Sequence, residues 1–302
     1  MPTSKKPRKK SSSASRTSEL KSLPNAAALE DLARRIDMHP DDEALSEAQF
    51  LMYDAWETPD GRSRAALARQ ALKISPFCAD AWLTLAERST LSVVDRREYL
   101  ERAVKAGALA LGKNGFQEYA GSFWGFLETR PYMRARHILA EDLWQAGERE
   151  AAIDHLREML VLNPGDNQGL RYVLLSWLLV IRDDAAVEEL LREHDDEASA
   201  FMCYTRALFA FRKSGDNEIS RRTVAEAWEC NSHVPALLAR RGRIRAEDPG
   251  YYTLGGEDEA AYYLEEYGFA WKETPGAVDW LVDVTKDLKP RQRGHRRDET
   301  LH

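Results

Sequence analysis

Cysteine is scarce in this sequence, and its spacing argues against two common uses of the residue. The three cysteines, Cys78, Cys203 and Cys230, lie far apart and form no Cys-x-x-Cys motif. An odd number of widely spaced cysteines predicts neither a disulfide framework nor a structural zinc site. We therefore expect buried, unreactive thiols in a reducing compartment.

Long apolar runs are also missing. The longest, Val173 to Ile181, has nine residues, whereas a membrane-spanning helix needs about 20. The basic N-terminus is not followed by the apolar segment that marks a signal peptide. The sequence predicts a soluble, cytoplasmic protein without a membrane role, in which this run forms a buried helix.

The motifs of common enzyme and nucleotide-binding families are absent. None of the seven histidines is paired with another at i,i+4 spacing, and there is no P-loop, Gly-x-Gly-x-x-Gly or Gly-x-Ser-x-Gly motif. The segment Gly112-Lys113-Asn114-Gly115 is too short to hold a phosphate and predicts a turn. We expect a protein that is not an enzyme, with no catalytic residues, no cofactor and no metal ion.

Charge is distributed unevenly along the chain. The formal net charge is −7, but residues 1–22 carry seven basic residues and one acidic residue, and residues 286–302 carry six basic and three acidic residues. The body between them is strongly acidic and repels nucleic acid, so a polyanion could bind only through the tails. We predict disordered basic tails at 1–22 and 287–302, which could also act as a localisation signal or fold back on the body.

What the sequence does contain is a helix-hairpin pattern. Residues 133–166 form a 34-residue unit of two amphipathic helices, with a turn at Gly147 and a stop at Pro164. Small Ala140 and Ala152 allow the two helix backbones to approach closely. One such hairpin cannot bury its apolar face alone, so neighbours must stack on it. The pattern predicts an all-α fold of stacked helix hairpins in a right-handed solenoid.

A second hairpin follows in the same register over residues 167–198, where Trp177 takes the place of Leu143 and Ala186 that of Ala152. The small and apolar positions of both units resemble tetratricopeptide repeats. We therefore expect one helical-repeat domain over residues 23–286, with its clearest repeats at 133–166 and 167–198.

A narrower resemblance covers roughly residues 120–281. The order of four segments is similar to the C-terminal half of the suppression of tumorigenicity 7 protein family: His233-Val234-Pro235, Gly255 to Ala260, Trp271-Lys272 and Gly276-Ala277. The resemblance implies a tetratricopeptide protein of the soluble, bacterial type, because the animal members carry membrane-spanning segments that are not found here. It implies no catalytic residues.

Three functions are compatible with these patterns. The first is a non-catalytic scaffold whose concave groove binds a peptide or a partner helix. The second is a small-molecule or nucleotide-binding protein, or an enzyme, that uses the aromatic C-terminal segment. The third is polyanion tethering through the basic tails. Five residues lie away from the Leu/Ala packing face and are the candidate groove residues: Arg134, His137, Glu141, Arg171 and Tyr172.

Overall fold

The computed structural model describes residues 19–35, 42–240, 252–286 and 288. Within these ranges every regular element is a helix, which confirms the predicted all-α class. The chain divides into two compact units, residues 1–171 and 172–302, and the single helical-repeat domain over residues 23–286 stays a prediction. The sequence gives no sign of this division, because it falls inside a helix rather than at a linker. Each unit is described by itself below.

The first unit is built from helices joined by short connections. A helical segment at residues 19–22 precedes the first labelled helix, and a single 3₁₀ turn lies at Phe123–Gly125. The helices of this unit are α1 (Ala26–Arg35), α2 (Glu43–Glu57), α3 (Gly61–Ile74), α4 (Ala79–Ala86), α5 (Val93–Glu118), α6 (Arg130–Ala146) and α7 (Arg149–Leu162).

The second unit contains most of one helix, which begins two residues before the border between the units, and the helices that follow it. They are α8 (Leu170–Ile181), α9 (Asp184–Glu193), α10 (Ala200–Ser214), α11 (Glu218–Cys230), α12 (Val234–Leu238), α13 (Glu257–Lys272) and α14 (Ala277–Thr285). None of the helices among the described residues of either unit is long and apolar enough to cross a membrane.

Local sequence signals fix several helix ends. Asp42 accepts a hydrogen bond from the backbone nitrogen of Leu45 at 3.0 Å and so caps α2. Gly147 has a φ of 87° between α6 and α7, a left-handed conformation that glycine adopts without steric cost. The predicted turn of the 133–166 hairpin is therefore present, and α7 ends two residues before Pro164.

In the first unit, helices that are two apart along the chain also pack together. Helix α2 contacts α3 and α4, and α4 contacts α5 and α6, while α6 pairs with α7. Gly107 permits the close approach of α5 to α6, because a Cβ there would lie 3.1 Å from the Cα of Tyr132. The break in α5 falls at Gly112, where φ is 56°.

The described residues just before α1, from Glu19 onward, are held on the first unit. Leu20 is buried, and Arg102 donates a hydrogen bond from Nη1 to its carbonyl oxygen at 3.0 Å. Glu19 pairs with Arg69 at 2.5 Å and with Arg88 at 2.7 Å. The predicted tail boundary at residue 22 is therefore wrong for residues 19–22, because a buried leucine and two ion pairs offset the entropy of ordering them. Residues 1–18, 287 and 289–302 lie outside the described residues.

The second unit has an aromatic core and a disulfide. Cys203 of α10 and Cys230 at the end of α11 are bonded, with their Cα atoms 6.7 Å apart. The expectation that all cysteines are unpaired is thus wrong for these two and holds for buried Cys78. Sequence spacing missed the pair because α10 and α11 form a hairpin that brings distant positions together.

Candidate functional site

The first unit presents a row of exposed aromatic side chains on α2. Phe50, Tyr53 and Trp56 are 66%, 39% and 47% exposed. Their rings contact one another in sequence, with centroids 6.0 Å and 5.4 Å apart. The opposite face of α2 is buried in the unit, so the helix cannot turn these rings inward. We call these three residues the aromatic stripe.

A cavity of about 270 Å³ opens beside the aromatic stripe. Its walls come from α2, from the starts of α4 and α6, from Gly107 and Ala110 of α5, and from the loops before α4 and α6. The apolar side chains of the wall are Leu45, Phe50, Tyr53, Phe77, Ala79, Ala110, Leu127, Pro131 and Tyr132. We call the stripe and this cavity together the groove. An apolar concave surface with few polar groups is typical of a binding site.

A buried carboxylate fixes the helices around the groove. Asp80 of α4 accepts hydrogen bonds from Nε and Nη2 of Arg134 at 3.0 Å and 2.5 Å, and from Nε2 of Gln49 at 2.8 Å. The guanidinium of Arg134 also lies 5.0 Å from the ring centre of Trp56. Helices α2, α4 and α6 are therefore tied together at one point, which holds the groove in a defined shape.

The thiol of Cys78, two residues before Asp80 in the chain, is unreactive. Burial, with a smaller contribution from the Asp80 carboxylate, raises the pKa of Cys78 to about 12. Because the thiolate is the nucleophilic form, Cys78 does not supply a reactive group to the groove at neutral pH. The described residues contain no group of three or more His, Cys, Asp or Glu side chains placed to hold a metal ion.

Three of the predicted groove residues lie along one face of α6: Arg134, His137 and Glu141. Arg134 reaches the groove through its contacts with Asp80 and Trp56. His137 lies 3.6 Å from Glu141, measured from Nε2 to Oε1, and this distance is too long for a hydrogen bond. Arg134 thus contacts the aromatic stripe at Trp56 and is paired with Asp80 rather than being a free cation.

The other two predicted residues serve separate local structures. Arg171 donates from its backbone nitrogen and from Nη1 to Oδ2 of Asp166, at 3.0 Å and 2.9 Å. Tyr172 belongs to the second unit, where its hydroxyl bonds Glu197 and its ring lies 4.9 Å from that of Phe201. The aromatic stripe was missed, although aromatic residues at i, i+3 and i+6 of one helix are visible in the sequence.

Two residues from the segments of the narrower resemblance, Gly255 and Glu259, belong to a buried hydrogen-bond cluster of the second unit, which we call the latch. Glu259 is fully buried. Its Oε1 accepts a hydrogen bond from the backbone nitrogen of Ala200 at 2.9 Å, and its Oε2 accepts from Nδ2 of Asn231 at 2.9 Å and from the nitrogen of Gly255 at 2.7 Å. One carboxylate thus joins the start of α10, the end of α11 and the turn before α13.

The aromatic C-terminal segment is largely core. Tyr263, Tyr267 and Trp271 are buried, and Nε1 of Trp271 donates to the hydroxyl of Tyr263 at 2.6 Å. The hydroxyl of Tyr267 donates to the carbonyl of Tyr172 at 2.5 Å. Burial raises the pKa of Tyr263 and of Tyr267 well above the ordinary value, so both stay neutral. These rings stabilise the unit and present no open face to a ligand.

Comparison with known proteins shows a similarity that covers more of the chain than the resemblance seen over residues 120–281. The ST7 protein family model matches residues 36–291. The chain is 26% identical to a chicken (Gallus gallus) suppressor of tumorigenicity 7 protein-like over 84% of its length and 51% of the relative. It is 26% identical to the ST7 homolog of Drosophila melanogaster, over 84% and 52%. The ST7 homolog of Caenorhabditis elegans is 28% identical, over 83% and 53%.

The chain therefore spans about half the length of the curated relatives that it matches. The family match covers most of the chain, including both the groove of the first unit and the latch of the second. This chain belongs to the ST7 protein family.

Proposed function

We propose that the protein is a non-catalytic interaction scaffold, and that the groove of the first unit binds a peptide or a helix of a partner protein. The observation that carries the proposal is the aromatic stripe beside an apolar cavity. Clustered exposed aromatic residues are unusual on a monomer surface and mark interaction sites. Tyrosine and tryptophan are also the residues that most often dominate binding energy.

The arrangement of helices supports a tetratricopeptide-like array in this unit. Successive first helices of hairpins, α2, α4 and α6, contact one another, while α3, α5 and α7 are their second helices. Stacking of this kind produces an inner surface lined by first helices. In such an array part of the groove would lie on that surface, because α2 supplies the stripe and the start of α6 supplies part of the wall.

The energy available from the stripe defines what else a partner must contact. Full burial of one large apolar side chain contributes about 1.5–3 kcal/mol. Covering three partly exposed rings would thus supply on the order of 3–5 kcal/mol before the cost of association. That amount supports a weak complex only. A stable complex therefore also requires the cavity and the charged residues around it.

The other two functions have weaker support. A binding platform on the aromatic C-terminal segment would require buried Tyr263, Tyr267 and Trp271 to leave the core. Polyanion tethering would use the basic residues near the chain ends, which lie outside the described residues. The soluble, bacterial-type assignment and the cytoplasmic location are proposals from sequence alone.

Site-specific photo-crosslinking in the native host tests the scaffold function. A photoreactive phenylalanine at position 50 should yield a specific protein adduct, and the same group at Val161 should not. Val161 is a matched control, because it is 76% exposed in the same unit but lies on α7, which supplies no residue to the cavity wall. The double variant Phe50→Ser, Trp56→Ser should lose the partner. An adduct of the same protein from both positions, or none from position 50, would count against the proposal.

A further inference from the structure

Acidic side chains frame the aromatic stripe. Helix α2 carries Glu43, Glu47, Asp54 and Glu57 and contains no lysine or arginine. Glu128 lines the opposite side of the cavity. All five are exposed, and none forms an ion pair with another of the residues that the structure describes. Among the described residues, the groove is therefore an apolar surface with a negative rim that no cation pairs with.

Helix geometry places the acids on the same side of α2 as the rings. Residues seven apart share one stripe of a helix, so Phe50 lies between Glu43 and Glu57. Residues three or four apart are neighbours, so Glu47 and Asp54 also flank Phe50. Arg134 is the cation that contacts the stripe, and buried Asp80 balances its charge. The negative rim is thus continuous with the apolar surface.

Two of these acids lie where a helix disfavours them. Asp54 and Glu57 are in the last turn of α2, which contains no basic residue. The carbonyl end of a helix carries partial negative charge and is stabilised by cations rather than anions. A positive partner at this end would relieve repulsion that the free protein bears. This electrostatic repulsion does not depend on the apolar surface, and it also favours a positively charged ligand.

We infer that the occupant of the groove is an amphipathic helix with an apolar stripe flanked by lysine or arginine. The inference rests on the proposed function and specifies its partner. The three rings are spaced along a single helix, so a second helix lying beside α2 meets them at its own i, i+3 and i+6 positions. Its basic flanks would then face Glu43, Glu47, Asp54 and Glu57. The apolar edge would enter the cavity between α2 and Pro131.

Binding of designed peptides to the full-length protein tests this inference. Three fluorescent helical peptides of about 18 residues share one leucine stripe and carry lysine, glutamate or glutamine on its flanks. The lysine peptide should bind about tenfold or more tightly than the glutamine peptide, and more tightly still than the glutamate peptide. Its advantage should fall as salt is raised, because exposed charges are screened.

Two variants separate the partner class from the groove itself. Neutralising the rim with Glu43→Gln, Glu47→Gln, Asp54→Asn and Glu57→Gln should remove the preference for the lysine peptide. Phe50→Ser with Trp56→Ser should abolish binding of every peptide. The control Glu150→Gln, Asp154→Asn changes two exposed acids on α7 of the same unit and should change nothing.

The outcomes distinguish two failures. If all three peptides bind alike and the aromatic variant abolishes binding, the groove function stands and the basic partner class is wrong. If no peptide binds, or if the aromatic variant binds the peptides as wild type does, both the groove function and the basic partner class are wrong. Concentration-dependent self-association that the aromatic variant removes would show that a second copy is the occupant, and would overturn the inference.

Discussion

The side chain of Glu259 accepts a hydrogen bond at 2.9 Å from the backbone nitrogen of Ala200, although 59 residues separate the two in sequence. Glu259 thereby satisfies a donor at the start of a helix other than its own. Glu259 lies in the first turn of α13, where an acid is favoured by the helix dipole. The contact with α10 explains why this carboxylate is buried rather than exposed.

Removal of this carboxylate should destabilise the protein strongly. Glu259→Ala leaves the backbone nitrogens of Ala200 and Gly255 without their acceptor, and the side-chain amide of Asn231 keeps only the carbonyl of Gly256. We expect a loss of about 2–5 kcal/mol, since each unsatisfied buried donor costs about 1–3 kcal/mol. Urea denaturation gives the value. Glu257→Ala in the same helical turn, where the carboxylate is exposed, is the control and should change stability by about 0.5 kcal/mol or less. Equal midpoints for the two variants would refute the latch.

Overpacking should reveal the helix crossing in the 133–166 hairpin. Ala152 is fully buried, whereas the preceding Ala151 is exposed. Ala152→Leu should lower the free energy of unfolding by about 1–3 kcal/mol, because the added atoms have no room between α6 and α7. Ala151→Leu adds the same atoms on the solvent side and should be nearly neutral. A comparable denaturation midpoint for both would place the helix interface elsewhere.

The N-terminal truncation series should show a sharp step. Deletion of residues 1–18 leaves every described contact intact. Deletion of residues 1–23 also removes buried Leu20 and the partners of Arg69, Arg88 and Arg102. The longer deletion should cost about 2 kcal/mol or more relative to the shorter one, and lower the melting temperature accordingly. Identical melting curves for the two truncations would mean that the segment does not stabilise the unit.

Glu19 should make the stability depend on pH. Burial opposes its ionisation, but hydrogen bonds and charge from Arg69 and Arg88 outweigh that effect and hold the pKa of Glu19 below its ordinary value of 4.5. A lowered pKa in the folded state stabilises the protein above the unfolded-state pKa, and this contribution is lost as pH falls through the folded value.

Wild type should therefore exceed Glu19→Gln in stability at neutral pH, and the difference should shrink as the pH falls below about 4.5. Urea midpoints measured from pH 7 downward test this. The variant Glu101→Gln, at an exposed position on α5, is the control and should follow wild type. A difference that stays constant through the acid range would exclude the Glu19 carboxylate as its source.

The disulfide predicts a defined thiol count. Under denaturing conditions without reductant the chain should expose one thiol, from Cys78, and after reduction it should expose three. Replacing Cys203 and Cys230 with serine should cost about 2–4 kcal/mol, because the cross-link restricts the unfolded chain. Cys78→Ser should reduce the count without reductant to zero. Three thiols in the unreduced wild type would contradict the assignment.

Much of the helical pattern could be predicted from the sequence. The 3.6-residue periodicity, Gly147 and the stop before Pro164 marked the 133–166 hairpin, because helix ends depend on local backbone preferences. The resemblance to the ST7 family was also visible in short segments, and the family match confirms it. The concave binding groove stays a prediction; of its five predicted residues, Arg134 contacts Trp56 of the aromatic stripe, and the stripe itself was overlooked.

Local chemistry along the chain determined the helices, their caps and the positions of the exposed charges on α2. Only the tertiary structure decided that Cys203 meets Cys230, that Glu259 caps α10, and that residues 19–22 lie on the body. Each of these contacts joins residues that are distant in sequence. Periodicity specifies which face of a helix is apolar, but the packing of complete helices selects the partner that the face meets.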